Sequence, residues 1–74
     1  MSNEINEKLF KAKMAENGDT QQELASAMNL PQSGICLRIK GKVPFKKSEM
    51  AFIAKRYRLS DSDMIRIFFP EKVS

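Results

Sequence analysis

Start and stop signals for short helices punctuate this chain along its whole length, and no stretch alternates apolar and polar residues as a strand would. A first helix is expected from Glu4 to Asn17, with Ile5, Leu9, Phe10 and Met14 on its inner side and Gly18 as the left-handed residue that closes it. Thr20-Gln21-Gln22-Glu23 has the form of a capping box, in which the Thr20 hydroxyl accepts the Glu23 amide and the Glu23 carboxylate accepts the Thr20 amide. It opens a second helix, Gln21 to Met28, with Leu24, Ala25 and Met28 turned inward. Asn29 tolerates a positive φ and Pro31 suits a first helical turn. A third helix therefore runs from Pro31 or Gln32 to Lys40, burying Ile35 and Ile39, with Gly41 ending it. After a loop at Lys42-Val43-Pro44-Phe45, a fourth helix from Lys47 to Tyr57 brings Met50, Ile53, Ala54 and Tyr57 onto one face. Ser60 and Asp63 form a second capping box for a last short helix that carries Met64, Ile65, Phe68 and Phe69 and stops at Pro70. The expectation is one all-α domain of five short helices spanning residues 1–74.

Composition narrows what such a domain does. At 74 residues and 42% apolar content there is one small core, no disordered bulk and no apolar run long enough for a membrane span. Met1-Ser2-Asn3-Glu4 lacks the basic stretch and apolar run of a secretory signal. Cys36 stands alone, so no internal disulfide forms, which fits the reducing cytoplasm of a bacterial cell. With no His, one Cys and no glycine-rich phosphate loop, the chain offers neither a catalytic constellation nor a metal site. Neither an enzyme, a cofactor nor a small-molecule substrate is expected.

The charge is unevenly placed. Residues 1–37 carry a net −2 and residues 59–74 a net −1. Residues 38–58 carry +7 through Arg38, Lys40, Lys42, Lys46, Lys47, Lys55, Arg56 and Arg58 against Glu49 alone. A basic block between acidic flanks suits a polyanion-facing surface, although a solvated Lys/Arg face gives the same pattern.

The segment from Gln21 to Lys40 combines these threads. A short capped helix, a tight turn at Asn29 and a second short helix make a helix-turn-helix, with Ala25 small enough for close approach. In that unit the second helix enters the major groove by its N-terminal residues.

Thr20-Gln21-Gln22-Glu23-Leu24-Ala25, Asn29-Leu30, Ile35 to Gly41, Lys42-Val43-Pro44-Phe45 and Ile53-Ala54 together resemble the lambda-repressor-like family, and its small phage Cro-like members most of all. The resemblance spans Ile5 to Phe69 and implies double-stranded operator DNA as partner, read by a compact five-helix fold. Residue by residue, it implies that Gln21 contacts phosphate and braces its neighbour. Gln32 and Ser33 become base readers, with Cys36 and Leu37 one turn later against thymine methyl groups. Lys40, Lys42, Lys46 and Lys47 fall beside the phosphate backbone. Lys46 and Lys47 oppose their own helix dipole, a conflict that a phosphate would relieve and that solvent also tolerates.

Several residues depart from the family pattern. Pro31 replaces the usual Ser or Thr cap, and Gly34 lies inside the recognition helix at a cost of about 1 kcal/mol relative to Ala. Gly34 reads either as a close approach of backbone to DNA or to the preceding helix, or as a small residue that packing tolerates. Arg38 stands where many members are apolar and reads either as a base contact or as a phosphate contact.

Adjacent Phe68 and Phe69 cannot share one helix face, so one fills the core while the other, with Ile67, makes a dimer or partner interface or a local plug. Phe10 beside Leu9 poses the same question. Two functional classes follow. One is a homodimeric Cro-like repressor; the other is a phage anti-repressor or modulator that binds a partner repressor protein. The low polarity of Gly34, Cys36 and Leu37 is what favours the second.

Overall fold

A side-chain cap, rather than apolar periodicity, sets where the first helix begins. Asn6 Oδ1 accepts the Leu9 amide at 3.0 Å, so α1 runs Glu7–Glu16. The expected start at Glu4 lies outside the described residues, which in this computed structural model are 5–72. Ile5 precedes the helix, and the Asn6 amide donates to the Ile67 carbonyl at 2.8 Å, fastening this end of the chain to the last helix.

The Thr20 capping box closes in both directions, each hydrogen bond at 3.0 Å, and opens α2 (Gln21–Ala27). Asn29 takes φ 59°, and the Leu30 amide reaches back to the Ala25 carbonyl at 2.8 Å. That tight stop lets α3 (Gln32–Ile39) leave at once on Pro31. Gly41, at φ 78°, ends it. The fourth helix, α4, is Lys47–Tyr57 and stops on Arg58, which takes the left-handed φ of 54° without being a glycine. The Ser60–Asp63 box opens α5 (Asp61–Phe68). Pro70 follows the end of this helix and begins a single 3-10 turn, Pro70–Lys72. The described residues are all-helical, and none of their helices is long and apolar enough to cross a membrane. The radius of gyration, 11.3 Å, matches the ~11 Å expected for a compact chain of this length.

Each helix contributes two residues to one core: Phe10 and Met14, Leu24 and Ala25, Ile35 and Ile39, Ile53 and Tyr57, Ile67 and Phe68. Phe10 is its hub, stacked on Phe45 at 5.8 Å and meeting Tyr57 and Phe68 edge-on at 6.3 and 6.1 Å. Phe45 and Phe68 also meet edge-on, at 5.3 Å. Phe10 is therefore a core residue and Leu9 only a flanking one. The same packing corrects the expected interface. Ile67 and Phe68 are 1% and 6% exposed, so they hold the monomer together and are not available to a partner. On α5 the inner positions fall at Met64, Ile67 and Phe68, one turn apart, which turns Ile65 and Phe69 outward at 44% and 42% exposure. Met50 and Ala54 are half-buried where full burial was expected.

One polar tether crosses the core's edge. Asp19, between α1 and α2, accepts Arg56 Nη2 at 2.8 Å and Nε at 2.9 Å as a bidentate pair, together with the Tyr57 hydroxyl. Its side chain is 6% exposed. The Arg56 hydrogen bonds, working against burial and aided by Tyr57, hold the Asp19 carboxyl below its ordinary 3.8. Burial, then the Asp19 hydrogen bond, raises the Tyr57 hydroxyl far above its ordinary 10.0, so it remains a donor.

Truncating the hub by Phe10→Ala is expected to cost ~3–5 kcal/mol, enough to unfold much of a domain this small at room temperature, as urea denaturation would report. The Asp19 tether predicts a pH signature. A carboxylate whose folded value is depressed stabilises above its unfolded value, and that stability is lost as pH falls through the folded value. Thermal melts of wild type and Asp19→Asn should differ by a constant amount from neutral to mildly acidic pH, then converge below the ordinary 3.8. A difference that persists unchanged into strong acid would show that the Asp19 charge contributes nothing.

Candidate nucleic-acid interface

Among the described residues the helix pair α2 and α3 makes the most extensive close approach, and Ala25 of α2 is buried, its carbonyl accepting the Leu30 amide of the turn between them. Because Ile35 and Ile39 are fully inward, the opposite side of α3 faces solvent. Gln32 and Ser33 form its first turn and are exposed. Cys36 is half-buried, and Leu37 is 43% exposed. α3 has no side-chain cap at its N-terminus, because Pro31 provides none. Between α2 and α3 lies an open groove of about 560 Å³ lined by Gln22, Ala25, Ser26, Asn29, Leu30, Pro31 and Gln32. Gln21 is the first residue of α2 and half-buried, and its neighbour Gln22 is the one that lines the groove.

The loop after α3 folds directly back on it, with the Lys42 amide donating to the Leu37 carbonyl at 2.9 Å. Lys40 and Lys42 are exposed along this return, and Lys46 and Lys47, at the cap and first position of α4, are exposed beyond it. The dipole conflict at that helix start is met from inside the protein. Glu49 Oε1 accepts the Lys46 amide at 2.8 Å, placing a carboxylate at the positive end of the helix.

The same oxygen also accepts Arg38 Nε at 3.1 Å. Arg38 and Glu49 side chains are each 13% exposed, so this is a shielded bridge between α3 and α4. Burial raises the Glu49 carboxyl, but the Lys46 amide and the Arg38 guanidinium together outweigh it and leave the group below its ordinary 4.5. Arg38 Nη1 donates in addition to the Gly34 carbonyl at 3.0 Å, one turn back on its own helix. Of the two readings open to Arg38, base contact and phosphate contact, the geometry favours neither, since its guanidinium is held internally.

This arrangement also accounts for Gly34. A Cβ there would lie 3.3 Å from Arg38 Nη1 and 3.5 Å from Pro31 Cγ, so the missing side chain makes room for the folded-back guanidinium. Within the protein, the close neighbours of Gly34 are Arg38 and Pro31 and not the preceding helix.

Two of the block's eight cations, Arg38 and Arg56, thus serve the fold. Among the described residues, Lys40, Lys42, Lys46, Lys47, Lys55 and Arg58 are exposed and make no ion pair. Lys40 and Lys42 follow the end of α3, and Lys46 and Lys47 open α4, whose Glu49 reaches back to Arg38. Lys55 and Arg58 lie at the far end of α4.

No family model matches this chain, and no curated protein or solved structure does so either. Sequence reasoning missed Glu49 and Gln22. Glu49 carried a signal that was available: a lone acid inside a basic block, three residues past a helix cap.

Gly34→Ala tests the account of this turn. The helical propensity gain is at most ~1 kcal/mol, and the one tight neighbour is the hydrogen-bonded end of Arg38, which needs to give by only a few tenths of an ångström and can keep its partners in doing so. Thermal denaturation should show a small gain in stability. A clear loss would mean that the Arg38 end cannot give way.

Proposed function

We infer that this chain is a sequence-reading, double-stranded DNA-binding transcriptional regulator with the lambda-repressor-like arrangement, in which α3 enters the major groove. The observation that carries this reading is the adjacency around Glu49. One carboxylate oxygen joins the last turn of α3 to the start of α4, so the exposed face of α3 and Lys40, Lys42, Lys46 and Lys47, which make no ion pair among the described residues, lie on adjoining elements. Phosphate contacts position a protein on the duplex and base contacts specify the sequence, and the two sets of residues supply one each. Gln32 and Ser33 are the base readers, since a glutamine amide matches adenine N6 and N7 and a hydroxyl matches several edges. Cys36 and Leu37 offer apolar contact to thymine methyls. Gln21 and the four lysines serve phosphates, and Arg38 takes no part in contact.

A Cro-like regulator reads a pseudo-palindromic operator as a homodimer, with recognition helices about one DNA turn, ~34 Å, apart. Ile65 of α5 and Phe69, which caps its end, are both exposed and offer one apolar pair for that contact. Occupancy of the operator would then occlude a promoter. One observation favours the second class, a modulator that binds a partner repressor: Leu37, at 43% exposure, makes the outward face of α3 less polar than that of a usual base reader, and suits an apolar protein contact as well as a thymine methyl.

The deciding experiment is a salt titration of binding to a duplex enriched from a random-sequence pool against a scrambled one, by fluorescence anisotropy. Selective binding with a steep salt dependence supports the operator reader. Weak and equal binding to both duplexes overturns it in favour of the modulator. Gln32→Ala should relax preference at one base pair at a cost of ~1–3 kcal/mol. Lys46→Ala should instead weaken all duplexes alike and reduce the salt slope by ~1.

A further inference from the structure

Resting on the DNA-binding reading above, we propose that Glu49 is a positioning residue for base reading, acting through Arg38 and touching no DNA itself. Its one oxygen, Oε1, holds both the Arg38 guanidinium at 3.1 Å and the Lys46 amide at 2.8 Å. The guanidinium is fixed from a second side by the Gly34 carbonyl at 3.0 Å, so it cannot swing away from α3 without breaking a bond to its own helix. Gly34 gives it the space to lie there, since a Cβ would come within 3.3 Å of Nη1.

The chain Gly34–Arg38–Glu49–Lys46 is therefore a continuous link from the recognition helix to the helix start that bears the lysines. Its members differ in what they do to DNA. Lys46 and Lys47 find phosphates wherever they are, and so set where the protein sits on a duplex. Gln32 and Ser33 read a base only when α3 is rotated and tilted correctly relative to that seat. A link between the two decides whether the register set by phosphates brings the base readers opposite base edges. With both side chains 13% exposed, the bridge is shielded from solvent and counterions, so it persists under the salt at which surface pairs weaken.

The signature is a split between two quantities. Breaking the link should erode discrimination while sparing sequence-independent binding, because every lysine is still present. A residue that merely stabilised the fold would lower both together, or neither at a temperature where the protein remains folded.

The test uses the full chain. Wild type is first used to enrich a preferred duplex from a random-sequence pool. Wild type, Glu49→Gln, Arg38→Met and Asp19→Asn are then titrated on the preferred and a scrambled duplex, each shown by circular dichroism to be folded at the assay temperature. Asp19→Asn breaks a different ion pair, one to Arg56 that lies away from α3, and so serves as the control for general loosening. Glu49→Gln and Arg38→Met should each lose roughly ten-fold or more in the preferred-to-scrambled ratio, about what one misplaced bidentate base contact is worth, with scrambled binding changed far less. Asp19→Asn should keep the ratio. If Glu49→Gln does not fold, Arg38→Met decides alone. An unchanged ratio in the link variants, or an equal loss in Asp19→Asn, overturns the positioning role and leaves the operator reading standing. A wild type that enriches no sequence overturns the operator reading and the positioning role with it.

Discussion

Helices of seven to eleven residues do not persist in water, where isolated helices shorter than ~12–15 residues are marginal, so every element here depends on a shared core. Phe10 is where that dependence converges. Its ring meets Phe45 of the loop before α4, Tyr57 of α4 and Phe68 of α5, so a single side chain of α1 fixes three later parts of the chain. The aromatic cluster also explains why Phe10 is not left for a partner. Remove the hub, and the capping boxes that start α2 and α5 would define ends of helices with nothing to pack against.

Charge divides into two kinds of work. Arg56 reaches across 37 residues to the buried Asp19 carboxylate and Arg38 meets Glu49 in a shielded pair between consecutive helices, whereas the lysines of the same block remain in solvent. The chemistry of the two side chains fits this split. Guanidinium offers a planar fork of donors that satisfies two acceptors at once, as Arg56 does with both Asp19 oxygens and Arg38 does with Glu49 and Gly34. Ammonium is a strongly hydrated point charge on a flexible stem, better suited to tracking a mobile ion atmosphere than to bracing helices.

Much of the local structure was legible in the sequence because its causes are local. The Thr20 and Ser60 capping boxes, the left-handed Asn29 and the start of α3 beside Pro31 all follow from groups within a few residues of one another. The start of α1 was not, since the apolar period ran through Ile5 while the Asn6 cap overruled it. The last helix was half legible. Its apolar residues were evident, but the period does not say which of Ile65, Ile67, Phe68 and Phe69 points inward until the helix is docked.

By itself the sequence determined that the chain is a string of short helices, with a tight turn at Asn29 between two of them and a basic block from Arg38 to Arg58. Helix caps, turn residues and charge counts act over a few residues and need no tertiary context. Only the tertiary structure decided that Ile67 and Phe68 belong to the core, that Arg38 is bound within the protein, and why Gly34 is tolerated inside α3. The physical reason is common to all three. Burial and ion pairing are settled by what another segment brings alongside, and Arg38 meets Glu49 only because the loop after α3 brings the first turn of α4 back to the end of α3.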